Sequence, residues 1–374
     1  MKVKIQRGLK YRMYPTDEQI VLINKTLGCA RFVFNHFLGI RQDEWKYNHK
    51  SVQYKDTNAM LTDLKRRPEY GWLNEIDSMA LQQSLRDLQR AYDNFFAKRA
   101  KYPRFKSKHH HTQSYRSQCV NNNIRVEGDG IKLPKLGIVK IKLSRPVVGV
   151  ISNATITRTA GNKYYVSLCV SYEADLLPNE GGIVGIDVGV KDFYTDSNGA
   201  IEPNPRFFNK YQRKLAREQR RLARKMNGSS RRKRQRIRIA RLHEKIANVR
   251  ADHHHKISTR LAKENKIVVV ENLKIKNMVK NKHLSKAISD VAWYKFFTML
   301  EYKLAERGGQ LIKVPTFYPS SQTCHVCGYK NPIVKNLTVR DWECPECGTY
   351  HENRDLNAAI NIKEKGLAMI KEVV

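Results

Sequence analysis

The chain has 374 residues, enough to bury a sizeable core in two or three domains, and 70 lysines and arginines against 35 acidic residues give it a formal charge of +35 and a pI near 10. Self-repulsion on that scale destabilises a compact fold unless a polyanion is bound, and nucleic acid is the default partner of such a balance. A membrane surface is argued against by the lack of a long apolar run or amphipathic anchor, and secretion by a basic N-terminus, residues 1–7, with no apolar signal core.

In chain order, residues 1–14 alternate apolar and basic side chains and predict a strand, and Thr16 and Gln19 form the two ends of a capping box that opens a helix. Ile20, Ile23, Leu27, Phe34, Phe37 and Leu38 keep helical spacing to about Trp45, and a second helix carries Leu81, Leu85, Leu88, Tyr92, Phe95 and Phe96 on one face. These aromatic stripes read as core. The basic, proline-containing stretch 102–111 ends the helical region as a loop that contacts phosphate or is merely solvated, and its three histidines lack metal-ligand companions.

From Ile124 the period changes to two, through segments 131–133, 139–143, 148–159 and 163–172, which predicts a small β-barrel or open sheet paired with the first strand. Residues 16–112 then become a helical insertion into a β domain. The run 121–123 of asparagines is a polar turn or a reader of base edges. Cys29, Cys119 and Cys169 are expected as buried thiols.

Beyond the break at 178–182, an apolar strand carries Asp187 in its middle with Gly185 and Gly189 on either side. An unpaired carboxylate there is expensive, so Asp187 should meet a cation or a metal. Between Arg206 and Lys256 there are nineteen lysines and arginines against three acids, in a pattern of two helical arms around 227–230. One face packs through Leu215, Leu222, Leu242, Ile246 and Val249; the remainder is a cationic surface for a nucleic-acid backbone. A second apolar strand, 267–270, ends in Glu271, a helix starts at Ser289, and 311–314 forms another strand.

The segment 320–369 holds Cys324-His-Val-Cys327, sixteen further residues, and Cys344-Pro-Glu-Cys347. Two such knuckles are the signature of a tetrahedral zinc site with four thiolate ligands, with a pair of disulfides as the alternative. Asp355 then opens a terminal helix. Asp187, Glu271 and Asp355, brought to one end of a sheet, could hold two magnesium ions and hydrolyse a phosphodiester, since all their ligand atoms are hard oxygens.

Taken in order, Gly185-Ile-Asp187-x-Gly189, Glu271-Asn-Leu, Ser320-Ser-Gln-x-Cys324-x-x-Cys327-Gly, Arg340-x-Trp342-x-Cys344-x-x-Cys347-Gly and Arg354-Asp355-x-Asn-Ala-Ala-x-Asn-Ile362 resemble the TnpB (OrfB) family encoded by insertion sequences, over essentially the whole chain. The resemblance implies an α/β plus β chain: a RuvC-like RNase H fold with a zinc-ribbon insertion, preceded by an OB-like wedge β-barrel carrying a helical recognition insertion. The implied boundaries are 1–15 and 113–180 for the wedge, 16–112 for recognition, 181–317 and 351–374 for the nuclease, and 318–350 for the zinc loop.

It implies an RNA-guided DNA endonuclease related to type V CRISPR effectors, with structural Zn2+, catalytic Mg2+, a guide RNA from the transposon end and target double-stranded DNA as partners. One protein copy on one RNA is expected, in the prokaryotic cytoplasm at the nucleoid and away from membranes. Asp187, Glu271 and Asp355 are then the catalytic metal ligands, and Cys324, Cys327, Cys344 and Cys347 the zinc ligands. Arg340 corresponds to a basic residue that approaches the active site, or simply packs the zinc loop. Tyr54, Asn58, Ser78, Met79, Gln82, Val120 and Asn121 are the implied readers of a short flanking DNA motif. A strand-transfer transposase is disfavoured because no end-binding helix-turn-helix is evident in the sequence, and a guide-directed DNA-binding regulator because all three acids are present.

Overall fold

The computed structural model describes residues 2–110, 112–336 and 338–371, so His111 of the histidine run lies outside the described residues. The chain divides into two compact units, residues 2–174 and residues 175 onward. The first opens with β1 (Lys2–Tyr14), α1 (Asp17–Asn48), α2 (Tyr54–Arg66) and α3 (Ser78–Phe96). It continues with β2 (Thr112–Gln118), β3 (Arg125–Glu127), β4 (Gly130–Leu133), β5 (Gly137–Lys142), β6 (Val150–Thr159) and β7 (Tyr164–Asp175). The strands form one sheet in the order β2-β6-β7-β1-β5-β4-β3, so the first strand of the chain lies inside the sheet, with Met13 opposite Ile141 of β5. The alternating apolar residues of these strands bury one continuous core that includes Tyr11, Met13, Ile131, Val139, Ile156, Val166 and Leu168.

The helices enter from β1 through the expected capping box. Thr16 Oγ1 accepts from the Gln19 backbone at 3.3 Å, and Gln19 Oε1 accepts from the Thr16 backbone at 3.0 Å. The Gln19 amide also donates to the carbonyls of Leu136 and Ile138 (3.1 and 2.9 Å), so the residue that caps the helix also pins it to the sheet. The three helices share a second core of Phe34, Phe37, Leu38, Leu61, Leu64, Leu81, Leu85, Leu88 and Tyr92. Several expectations are corrected here. Phe96 is 73 % exposed, because it lies at the C-terminal end of α3 beyond the packed region. Cys119 and Cys169 are only partly buried; their sulfurs lie at 3.6 Å from the Ile124 carbonyl and 3.4 Å from the Gln6 amide.

The second unit contains β8 (Gly182–Val188), β9 (Asp192–Asp196), β10 (Ile201–Pro203), α4 (Phe207–Ala223), α5 (Ser230–Glu264) and β11 (Asn265–Glu271). These are followed by α6 (Ile275–Met278), α7 (Ser285–Val291), α8 (Trp293–Ala305), β12 (Gln310–Val314), β13 (Trp342–Glu343), β14 (Tyr350–His351) and α9 (Arg354–Lys371). The main sheet has the order β10-β9-β8-β11-β12: an antiparallel meander joined to two strands that run parallel to β8. Valines 268–270 and Ile186 are fully buried, as a strand covered on both faces requires. One cover is α9. A Cβ at Gly185 would overlap the Ala359 carbonyl oxygen and the Lys363 backbone nitrogen, and one at Gly366 would overlap the Val269 side chain, so glycine on each surface is what lets α9 lie directly on β8 and β11.

The helix expected from Ser289 is instead two helices. Ala292 takes a left-handed φ of 54° that closes α7, and Trp293 begins α8, which ends in a glycine turn where Gly309 N–H donates to Leu304 at 2.8 Å. The basic hairpin is α4 and α5, longer than the sequence pattern indicates and joined by a Ser229 cap on Arg232 N–H at 3.1 Å. Leu215, Leu242 and Ile246 pack its arms, and the buried Gln235 amide donates to Glu218 at 2.7 and 3.0 Å. Among the described residues no helix is long and apolar enough to cross a membrane.

His254 of α5 is 2 % exposed against Phe193 and Phe296, and burial together with the adjoining His253 and Arg250 lowers its pKa to about 4. A histidine that is neutral in the fold and takes a proton when unfolded adds stability above its unfolded value of 6.5, lost progressively as pH falls towards 4. That shift corresponds to about 3 kcal/mol. Urea unfolding followed by circular dichroism should therefore show His254→Phe losing less stability than the parent between those pH values; an unchanged pH slope contradicts the assignment.

Candidate active site and metal-binding loop

Asp187 is the sixth residue of β8, and Glu271 ends β11. The two strands run parallel with Ile186 opposite Val270, so Asp187 and Glu271 are the next pair of positions at the same end of the sheet. Asp355 reaches the same cleft from the first turn of α9, whose start is capped by Asn353: its Oδ1 accepts from the backbone of Asp355 at 2.9 Å and of Leu356 at 3.4 Å. The three acids line a cleft of about 240 Å³ with Lys191, Thr195, Ser320, Ser321, Arg340 and Arg354.

The electrostatics of the acids differ. The Asp187 residue is partly open to the cleft while its carboxylate lies among protein atoms. Desolvation, then the charges of Glu271 and Asp355, push its pKa well above the usual carboxylate range, against a smaller opposing effect of Arg354 and Arg340. Desolvation also raises Glu271, opposed by the Ser320 hydroxyl, which donates to Oε1 at 2.6 Å. Arg340 pairs with Asp355 at 3.2 Å, so of its two sequence readings the structure gives it a contact with an acid of the cleft. Arg354 stands beside Asp355 in the quoted motif without a role of its own there. It donates to Ser321 Oγ at 3.0 Å and to the Asn336 carbonyl at 3.3 Å, and its own N–H binds the Arg340 carbonyl at 2.7 Å. Ser320, likewise without a role of its own there, stands at the head of the Ser-Ser-Gln motif.

The cysteines form two equivalent knuckles. In each, the first cysteine carbonyl accepts from a left-handed glycine, Gly328 at 2.9 Å or Gly348 at 2.8 Å. All four sulfurs lie within 4.8 Å of one another, with Cys324 and Cys347 at 3.7 Å and Cys327 and Cys344 at 3.6 Å, and none is in a disulfide. Tetrahedral zinc with bonds near 2.3 Å requires sulfur–sulfur edges of about 3.8 Å, so the thiols fit that ion. Among the described residues they are the one group of three or more His, Cys, Asp or Glu side chains found placed to hold a metal ion together, and the three carboxylates are not such a group. The hard oxygens of those carboxylates fit divalent cations of the magnesium type, and two ions some 4 Å apart do not need all ligands at one point.

The residues implied as motif readers all lie in the first unit. Tyr54 and Asn58 are on α2, Ser78, Met79 and Gln82 begin α3, and Val120 and Asn121 follow β2, where Asn121 has a left-handed φ of 50°. Their side chains are exposed or half-buried. Arg86 draws part of this surface together, donating to Tyr54 Oη at 3.2 Å and to Gln118 Oε1 at 3.4 Å. The asparagine run is the turn that one of its two readings required, with Asn123 Oδ1 accepting from Val120 N–H at 2.9 Å.

Comparison with known proteins gives a consistent picture. A family model described as "Probable transposase" (OrfB_IS605) matches residues 167–282, one described as "Cas12f1-like, TNB domain" matches 293–362, and one described as "Helix-turn-helix domain" matches 1–50. The last description differs from the structure, where those residues are β1 and the single long helix α1. A Streptomyces pristinaespiralis protein named "Putative RNA-guided DNA endonuclease" is 39 % identical over 371 residues, covering 98 % of this chain and 91 % of the relative. InsQ of Escherichia coli K12, which carries the same description, is 35 % identical over 384 residues, covering 98 % and 94 %. The fold resembles that of Cas12f1 in a complex with sgRNA and target DNA, with a TM-score of 0.57 at 16 % identity over 96 % of this chain and 99 % of that one. The chain belongs to the TnpB (OrfB) family.

Because ionised Asp187 is disfavoured by burial and by two neighbouring acids, Asp187→Asn should stabilise the divalent-free protein near neutral pH by about 1–3 kcal/mol. The advantage shrinks as pH falls and Asp187 becomes protonated in the parent. A thermal-denaturation series in chelator tests this; a lower melting temperature for the variant at pH 7 contradicts it.

Proposed function

We propose that the protein is an RNA-guided DNA endonuclease that cleaves double-stranded DNA beside a short transposon-adjacent motif by two-metal-ion hydrolysis. The observation that carries this reading is the convergence of Asp187, Glu271 and Asp355, from β8, β11 and α9, in one cleft of a chain whose close relatives bear that name. The antiparallel meander continued by two parallel strands supports a RuvC-like assignment for 181–317 and 351–374, with 318–350 as its zinc-ribbon loop. The seven-stranded sheet with its helical insertion supports the wedge, 1–15 and 113–180, and the recognition region, 16–112.

The three carboxylates are the proposed magnesium ligands. Bound magnesium supplies Lewis-acid polarisation of the attacking water and of the scissile phosphate. The protein's part is positioning: the β8–β11 register holds two acids side by side, Asn353 orients the third, and Ser320 fixes one oxygen of Glu271. Arg340 is proposed to exchange its contact with Asp355 for one with the phosphate. Sequence specificity resides in pairing between guide and target, and the cationic α4–α5 hairpin follows the backbone and shape of that duplex. Tyr54, Asn58, Ser78, Met79, Gln82, Val120 and Asn121 are the proposed motif readers, and an amide such as Gln82 or Asn121 can pair with adenine in the major groove.

The test is a plasmid library randomised beside a target, incubated with the protein and its element-end RNA. The parent is expected to cut only guide-matched plasmids next to one enriched motif. Asp187→Ala, Glu271→Ala and Asp355→Ala should each reduce cutting at least about a thousandfold while guide-dependent binding persists. Full cutting by any one variant overturns the triad, guide-independent cutting overturns the RNA-guided reading, and joining of DNA ends in place of hydrolysis favours the transposase.

A further inference from the structure

The cysteine loop and the acid cleft are joined by two buried amides of α9. Asn357 Oδ1 accepts from the His325 backbone at 3.1 Å and stands 3.0 Å from His325 Nδ1, while its Nδ2 donates to the Thr323 carbonyl at 2.8 Å. One turn further on, Asn361 Nδ2 donates to the carbonyls of Ser320 at 2.8 Å and Thr323 at 2.6 Å. Thr323 and His325 flank Cys324, and Ser320 is the residue whose hydroxyl holds Glu271. Asn357 and Asn361 are 2 % and 5 % exposed, so water cannot readily replace these bonds. Asp355 lies two residues before Asn357 on the same helix. One pair of side chains thus grips the first cysteine knuckle, the segment that orients Glu271, and the helix that presents Asp355.

We propose that Asn357 and Asn361 are positioning residues that couple metal occupancy of the four-cysteine loop to cation binding by the three carboxylates. Coupling of this kind is reciprocal: if a filled loop tightens the carboxylate site, a filled carboxylate site tightens metal binding by the loop by the same factor. The chain of contacts is short and two-way. A filled loop fixes the backbone at Thr323 and His325, the amides carry that position into α9 and Ser320, and Ser320 and α9 set Glu271 and Asp355. The inference rests on the carboxylates' proposed role as cation ligands, but not on guided cutting of DNA.

The experiment uses the zinc-loaded full-length chain, with terbium(III) as the carboxylate probe and Tyr194, which lines the cleft, as a sensitiser of its luminescence. Equilibrium competition with a chromogenic chelator reports zinc affinity. In the parent, terbium should bind in competition with magnesium, lose its site in Asp187→Ala, and tighten zinc binding about fivefold or more. Asn357→Ala and Asn361→Ala should keep one zinc per chain, bind terbium about fivefold or more weakly, and hold zinc with an affinity indifferent to terbium. Ser320→Ala leaves both amides and all cysteines in place and should likewise weaken terbium binding, which decides the matter if the asparagine variants do not fold. Undiminished linkage in the asparagine variants, absence of linkage in the parent, or an unchanged terbium affinity in Ser320→Ala overturns the proposal. A parent that shows the linkage yet cuts no DNA with its guide refutes the nuclease reading alone, and one that cuts without linkage refutes the coupling alone.

Discussion

Repulsion among three carboxylates organises the second unit. Within the cleft Arg340 reaches Asp355, Ser320 reaches Glu271, and at Asp187 desolvation and two acidic neighbours outweigh the opposing Arg354 and Arg340. Such a cluster persists only if the surrounding packing is strong enough to hold it, because burial disfavours the ionised forms of Asp187 and Glu271. The buried valines of β11, the glycine-mediated seating of α9 and the amide grip on the cysteine loop supply that restraint.

The same balance of charge links the cleft to the rest of the chain. A protein at +35 is poorly suited to remain alone in solution, and the α4–α5 hairpin concentrates its cations on arms whose apolar contact is confined to one narrow seam. A bound polyanion would relieve that repulsion, whereas in the cleft the three acids stand beside Lys191, Arg340 and Arg354.

How much of this was legible in the sequence depended on whether the signal was local. The Thr16–Gln19 box, the alternating strands and the cysteine knuckles are governed by residues a few positions apart, and each appears in the structure with the hydrogen bonds or spacing that local chemistry implies. Asp187 and Glu271 were also visible, because an acid in an apolar strand violates the pattern around it. What escaped was set by tertiary packing. No periodicity reveals that Gly185 makes room for the Ala359 carbonyl, that Ser320 turns towards Glu271, or that Asn357 and Asn361 face a loop some thirty to forty positions earlier in sequence. The break at Ala292 and the outward Phe96 belong to the same class: propensity permits helix or burial at those points, and neighbouring elements decide otherwise.

The seating of α9 against Gly185 has a consequence for how the cleft comes into being during synthesis. Strands β8 and β11 emerge from the ribosome well before α9, so for a time the nascent chain holds Asp187 and Glu271 without Asp355, and a bare glycine surface where the helix will dock. The basic hairpin, by contrast, precedes β11 in the chain and has been synthesised by then. Translation order thus delivers the cationic arms before the acid cluster is complete, and a message broken between the hairpin and the Asp355 codon yields a chain with its basic hairpin but an unfinished cleft.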